Sequence, residues 1–417
     1  MSDDLLPVSD ALARILSAMS PMPAETVALT EALGRVTADP ITARRTQPPV
    51  AVSAMDGYAV RAQDVASVPA TLKRIGAAPA GGLFEGTVGP GECVRIFTGG
   101  PVPDGADAIV IQEDVDADSE EDGATVTVRE GAAAGTYIRP AGLDFHEGDL
   151  GIAAGRRLSA RDIGLAATMN VPWISVRRKP RVAILSTGDE IVRPGELTDP
   201  MRIVSSNAYA LAAVVRAVGG EPVDLGIAPD DEGALRRLAA GARGADMLVT
   251  TGGASVGRHD LVQKALRDTE FGADALEVGF WKIAMRPGKP LIFGRFAGVP
   301  MLGLPGNPVS TVVCATVFLR PALETMLGLE TVGAQEEQAV LAVDLKENDR
   351  RQDYVRATWE MGDDGRRHVR PFPRQDSSMM SRLAAADCLI VRPAHDPSRK
   401  AGDTVRVLCL AGDFLSI

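Results

Sequence analysis

The stretch Arg181-Val182-Ala183-Ile184-Leu185-Ser186-Thr187-Gly188-Asp189-Glu190 decides how this chain is read. A strand-like apolar run breaks into Ser, Thr and Gly, the point where a chain leaving a sheet can turn closely and present donors. Upstream, Arg177-Arg178-Lys179-Pro180 reads as a basic hinge. Downstream the pattern repeats. A helix spans Asn207 to about Val218; Val223 to Ile227 leads to a helix near Asp231; Met247 to Thr250 leads to one from about Asp260; Val299 to Gly303 leads to one from about Pro308. Apolar strands joined by crossover helices predict a parallel sheet buried on both faces.

In such a sheet ligands bind at the carboxyl ends of the strands, beside helix N-termini. Three glycine-bearing loops fall there: Ser186 to Glu190, Thr251-Gly252-Gly253-Ala254-Ser255-Val256-Gly257, and Leu304-Pro305-Gly306-Asn307-Pro308-Val309-Ser310. Turn chemistry explains any one of them, with Asn307 and Pro308 as an N-cap and first helical residue. All three at one edge point to a phosphate or pterin site. Near that edge, Phe280 to Pro290 carries Lys282, Arg286 and Lys289, which also suit an ordinary charged strand surface. Asp189, Glu190, Asp230 and Asp260 each stand just past a strand. Singly they read as helix caps, Asp230 and Asp260 above all; together beside an anion they call for a bridging cation or for proton transfer.

Working outward, Ser9 precedes an apolar stripe of Leu12, Ile15, Leu16 and Met19, a helix stopped by Pro21 and Pro23. A second short helix is expected from Thr30. From about Thr42 to Leu158, short β-branched runs broken by Gly and Pro predict one or two small β-rich modules, and Ser159 caps a helix to about Met169. Past Gly328, Tyr354 to Trp359, Cys388 to Val391 and Thr404 to Leu408 predict a C-terminal β-domain around a short helix at Ser381 to Ala385. Ser53-Ala54-Met55-Asp56-Gly57-Tyr58-Ala59 reads locally as an Asp-Gly hairpin turn, and Phe97-Thr98-Gly99-Gly100-Pro101 is equally open to a structural reading.

Composition narrows the function. With 417 residues the chain exceeds one hydrophobic core, so several domains are expected. Its 44 Lys+Arg against 55 Asp+Glu, a formal charge of −11, argue against a broad nucleic-acid footprint, so any bound anion is held locally. The 4 cysteines and 4 histidines show no zinc or redox spacing, which leaves reduced buried thiols and, for a metal, only a carboxylate-held hard cation. Met1-Ser2-Asp3-Asp4 lacks a signal-peptide pattern, and no apolar run approaches the ~18 residues of a membrane span; a cytoplasmic protein is expected.

Taken together, Ser53 to Ala59, Ile96 to Gly99, Ser186 to Glu190, Gly252 to Gly257 and Leu304 to Ser310 resemble, in order and spacing over nearly the whole chain, the molybdopterin molybdenumtransferase family, which includes the C-terminal domain of gephyrin. The resemblance implies four domains: a central α/β domain of the molybdopterin-binding kind (1–26 and 175–328), a linking domain (27–45 and 141–174), an inserted β-rich domain (46–140) and a C-terminal β-barrel (329–417). It implies insertion of molybdenum from molybdate into adenylated molybdopterin, with hydrolysis of the adenylate, release of AMP and help from Mg2+. It further implies a homodimer in which the β-domain of one subunit completes the cleft of the other, with possible contact to the molybdopterin adenylyltransferase.

Carried onto this sequence, the resemblance makes Gly252, Gly253, Ser255, Gly257, Pro305, Asn307 and Pro308 a pterin-phosphate cradle. Asp56, Thr98, Asp144, Glu190, Asp230 and Asp260 become the polar active-site set. Lys282, Arg286, Arg139 and Arg356 hold oxyanions, and Ser377 is a molybdate candidate, although Gln375-Asp376-Ser377-Ser378 lacks the family's glycine-flanked serine. The split of roles among the acids is our own expectation: Glu190 and Asp260 position metal or water, and Asp56 is the acid reaching over from the neighbouring subunit. Molybdenum sits on the pterin dithiolene, consistent with the absence of a cysteine cluster. Two alternatives stand beside this reading: an upstream molybdopterin adenylyltransferase, and a non-catalytic pterin-cofactor carrier or scaffold.

Overall fold

Strand β1, Arg181–Thr187, runs two residues beyond the apolar stretch that announces it, and all of it except Arg181 is buried. Val182 and Ile184 face one side, Ala183 and Leu185 the other, each in a separate apolar cluster, so the strand is covered on both faces as its composition requires. The computed structural model describes residues 5–252, 262, 265–266, 276–330 and 333–410. The chain divides into two compact units, one of Met1–Asp39, Ala154–Ala160 and Ser175–Ile417, the other of Pro40–Ala153 and Arg161–Ile174.

In the first unit, helix α1 (Val8–Ser17) opens before its expected cap. Pro7, with φ fixed at −57°, occupies the N-cap, and Ser9 lies inside the helix with its hydroxyl on Asp10 Oδ1. The helix expected from Thr30 is a single 3-10 turn, Leu29–Glu31. The sheet is built from β1, β2 (Glu221–Ala228), β3 (Met247–Thr251), β4 (Glu277–Trp281), β5 (Ile292–Phe296) and β6 (Val299–Leu304), in the order β2-β1-β3-β6-β5-β4. The first four strands of that order are parallel. The last two are antiparallel, so the sheet is mixed where the sequence predicts a parallel one. Ala297 and Gly298 join β5 to β6 with φ of 52° and 77°, the positive pair of a tight type I′ hairpin, and a two-residue link can only reverse a strand.

Helix α2 (Asn207–Val218) lies between β1 and β2, as predicted, and α3 (Glu232–Ala239) between β2 and β3. The helix expected from Asp260 begins outside the described residues. Helix α4 follows β6 as one helical run, Pro308–Met326. This run corrects the expectation that no such stretch exists: by length and composition it could cross a bilayer, but 78% of it is buried. Val309, Val313, Phe318 and Leu323 are almost fully enclosed against α1, α2 and the sheet. Side chains of that size contribute about 2–3 kcal/mol each through burial, which is sufficient reason for the apolar run.

The chain then forms β7 (Glu336–Leu341), β8 (Gln352–Met361), β9 (Arg367–Pro371), β10 (Cys388–Arg392) and β11 (Thr404–Cys409). Pairing runs β8-β9-β7-β11-β10 and returns from β10 to β8, so the strands close into a barrel with no open edge. Its outward Tyr354, Leu389, Val391 and Leu408 join the apolar cluster beneath α4, which ties the barrel to the α/β sheet. The short helix, Met380–Ala384, falls one residue from its expected place. Cys93, Cys314, Cys388 and Cys409 are all buried, and burial pushes the Cys93 and Cys388 thiols up to about 12.

In the second unit, Ala108–Ile111, Gly57–Val60, Glu92–Ile96, Ala70–Ala78, Thr125–Val128 and Val115–Ala117 form a six-stranded sheet in that order. This is the β-rich module expected between Thr42 and Leu158.

Candidate active site

A cleft of roughly 550 Å³ opens where β1, β3 and β6 end, lined by residues from all three predicted loops: Ser186, Thr187 and Glu190; Thr251 and Gly252; and Pro305 to Ser310, apart from Val309. Gly252 has φ +98°, and a Cβ there would lie 2.2 Å from the Thr187 carbonyl oxygen, so only glycine lets these strand ends approach. Between β1 and α2 the chain adds a parallel pair, Ile191–Val192 with Ile203–Val204. Ile191, Ile203 and Val204 supply an apolar wall.

Sequence reasoning missed the residue that braces the loops. Asn207, the first residue of α2, donates both amide hydrogens, to Thr251 Oγ1 (2.9 Å) and to the Gly306 carbonyl (2.7 Å). One side chain thereby fixes the end of β3 and the loop after β6. The signal was present in Ser205-Ser206-Asn207, three polar residues at a helix start beside a glycine-loop edge. All three line the cleft.

Asn307 and Pro308 occupy the N-cap and first turn of α4, as predicted, but the Asn307 side chain does not cap its helix. It donates to Ser377 Oγ at 2.9 Å, while the Ser377 carbonyl accepts the Val309 N–H. Ser377 is thus joined to the cleft rim despite its atypical surroundings, and Ser378 lines the cleft. Asp376 holds Ser378 in place by accepting from its hydroxyl (2.6 Å) and its N–H (2.8 Å), which lowers the Asp376 carboxyl below its ordinary range. Gln375 Oε1 accepts from Arg356 N and Nε, and Arg356 is only 1% exposed. Burial pulls its guanidinium below the usual value, with Asp376 and Asp353 acting the other way.

Of the remaining cations, Arg286 is less available than its spacing suggests. Arg286 is engaged by Asp353, by Asp349 (3.1 Å) and by Asn348 (3.1 Å), an arrangement that raises its pKa, first through the Asp353 hydrogen bond. Lys282 sits at φ +69° with its ammonium 4.1 Å from the Trp281 ring centroid. Lys289 is exposed and precedes Pro290 of the cleft wall.

Among the acids, Glu190 lines the cleft. Asp189 Oδ1 accepts the Asp230 N–H at 2.9 Å, which brings those two together. The cap of α3 is Asp231, accepting from Ala234 N, and not Asp230 as expected; Pro229 and Asp230 complete the turn before it. Gly253, Ser255, Gly257 and Asp260 lie outside the described residues. Among the described residues no three His, Cys, Asp or Glu gather into a metal cage.

In the second unit, Asp56 and Thr98 are brought together although 42 residues separate them. Antiparallel pairing of Gly57 with Ile96 places the two loops side by side, and Asp56 Oδ1 accepts from Thr98 N (2.6 Å) and Oγ1 (2.7 Å). Those donors hold the Asp56 carboxyl below its ordinary range, the backbone N–H contributing most, and so favour its ionised form. The segment is therefore more than a hairpin turn. Arg139 is exposed and paired in register with Val52, in the strand just before Asp56. Asp144 is exposed, its N–H on the Gln47 carbonyl.

Family descriptions match most of the chain: "MoeA N-terminal region (domain I and II)" over residues 6–170, "Probable molybdopterin binding domain" over 183–325, and "MoeA C-terminal region (domain IV)" over 338–410. A molybdopterin molybdenumtransferase of Haemophilus influenzae is 31% identical over 407 residues, covering 97% of this chain and 98% of that one. Molybdopterin molybdenumtransferase 2 of Mycobacterium tuberculosis is 38% identical over 327 residues, 77% of this chain and 79% of that one. The crystal structure of the molybdopterin biosynthesis MoeA protein from Pyrococcus horikosii superposes with a TM-score of 0.83 at 31% identity, over 98% of this chain and all (100%) of that one. The loops that meet in the cleft, the closed barrel and these full-length likenesses agree: the chain belongs to the molybdopterin molybdenumtransferase (MoeA) family of enzymes.

Proposed function

We propose that this enzyme inserts molybdenum into adenylated molybdopterin, hydrolysing the adenylate and releasing AMP. The observation that carries the reading is the cleft itself: three glycine loops at one sheet edge, two helix N-termini and Glu190 around a space of roughly 550 Å³. Ile191, Ile203 and Val204 offer an apolar face to a flat ring, and the hydroxyls and helix N-termini suit phosphoryl oxygens.

In the proposed reaction a water oxygen attacks one phosphorus of the phosphoanhydride. The bridging oxygen leaves with the other phosphoryl group, and the water proton passes to a carboxylate. Asp56, kept ionised by Thr98, suits that acceptor role, supplied from a second copy of the chain in a homodimer. Magnesium commonly uses one or two carboxylates together with substrate phosphates and water, so Glu190, which lines the cleft, fits as its holder without a protein cage, and Asp260, outside the described residues, is the second carboxylate we assign to it from the family resemblance. When bound, the ion offsets negative charge on the phosphoryl oxygens. Molybdate enters as substrate, and the Ser377 hydroxyl beside Asn307 is a candidate donor to its oxygens. We place the reaction in the cytoplasm, where the adenylyltransferase would deliver the pterin.

The test is release of AMP from adenylated molybdopterin by the purified protein, with and without molybdate and Mg2+. Molybdate-dependent release is expected, falling about a hundred-fold or more in Glu190→Ala. Tight pterin binding with no AMP release would replace the reaction with a carrier role.

A further inference from the structure

Ser186 and Thr187, the last two residues of β1, are 5% and 2% exposed, and neither hydroxyl has a hydrogen-bond partner among the described residues. Buried hydroxyls are nearly always paired, because leaving one bare forfeits its hydration with nothing in return. Consecutive strand residues face opposite sides of a sheet, and these two share a cleft only because the strand ends there.

Neighbouring polar groups are already engaged. The Thr251 hydroxyl accepts from Asn207, and the Thr311 hydroxyl donates to the Pro305 carbonyl at 2.6 Å. Beside Thr187, Gly252 presents no side chain, and a Cβ there would lie 3.1 Å from Thr187 Oγ1. The N-termini of α2 and α4 open on the same cleft, where aligned peptide dipoles favour an anion. No Lys or Arg is among its described lining residues, so neutral donors would carry the recognition.

We propose that Ser186 and Thr187 are phosphoryl-binding residues, kept without internal partners so that their hydroxyls donate to oxygens of the substrate's phosphoanhydride; this rests on the reaction proposed above. The arrangement has a signature that a structural role lacks. Removing a bare buried hydroxyl relieves the empty protein and weakens the complex, so stability and binding move in opposite directions.

Thr187→Val and Ser186→Ala are compared with wild type by thermal unfolding without ligand and by calorimetric titration with AMP, inorganic pyrophosphate and molybdate. Each variant is expected to melt at or above the wild-type temperature and to bind AMP and pyrophosphate about ten-fold more weakly, with molybdate unaffected. Thr187→Ser, which keeps the hydroxyl, should recover most of the affinity. Phosphoryl binding that is unchanged in the variants, absent from wild type or not recovered in Thr187→Ser overturns the inference, as does an effect on molybdate alone. Titration needs no turnover, so the predicted binding pattern in a protein that releases no AMP keeps this inference and removes the reaction; AMP release with unaltered binding does the reverse.

Discussion

Asp56 shows how one pair of donors selects a role for a carboxylate. Thr98 gives it an N–H and an O–H, both of which favour the charged form, and Arg95 adds a smaller attraction. Whatever the group adds to stability is therefore in place above the ordinary carboxylate range and is lost as pH falls through its lowered folded value. The same holds for catalysis if the ionised form accepts the water proton. Thr98→Val removes the hydroxyl donor and leaves the N–H, so the acid limb of the pH–rate profile should move to higher pH while the melting temperature near neutrality stays close to wild type. An acid limb that does not move would separate Asp56 from the rate-limiting proton transfer. Asp349 makes the corresponding point for structure: the Arg351 hydrogen bond holds it at about 2, against an ordinary 3.8, so its own ion pairs with Arg351 and Arg286 should weaken only as pH falls through that interval.

At the level of elements, Asn207 does for three chain segments what a glycine turn does for one. Asn207→Asp keeps the shape but cannot donate to Thr251 and Gly306, and it sets a charge against a carbonyl oxygen. A loss on the order of 1–3 kcal/mol in unfolding free energy is expected, with a rise in KM larger than any fall in kcat, if the loosened loops are those that hold substrate, as proposed, while Glu190 stays on its own strand end. Equal loss in kcat with KM unchanged would contradict this bracing role. The strands and helices around Asn207 were legible in sequence because β1, β3 and β6 are apolar runs bounded by glycine loops, a local signal. Strands β4 and β5 were not, since Phe280 to Pro290 drew attention by its cations, and Ala297-Gly298 lacks the Asn-Gly or Asp-Gly mark of a type I′ turn. Asp230 and Asp231 are adjacent and equally suited to capping, so sequence could not choose between them. Arg286 read as available because its partner Asp353 lies 67 residues away, and Asp56 read as a turn because Thr98 reaches it only through strand pairing. What escaped the sequence was long-range polar pairing, which no local pattern encodes.

The whole molecule presents its candidate chemistry in two places, Glu190 in the cleft of one unit and the Asp56–Thr98 pair in the other. A symmetric dimer would answer this division if Asp56 of each chain serves the cleft of its partner. Mixing decides the matter. Asp56→Ala chains and Glu190→Ala chains should each be inactive alone. In a refolded or co-expressed mixture, a mixed dimer has one cleft with Glu190 intact that receives an intact Asp56 from the other chain. With random pairing, activity should return to about a quarter of the wild-type level, since half the dimers are mixed and each has one complete site. If Asp56 instead serves the cleft of its own chain, every cleft in the mixture lacks one of the two carboxylates and activity stays at the level of the single variants. Sedimentation of the wild type at the assay concentration, run alongside, separates a dimer with sites confined to each chain from a monomer in which the question does not arise.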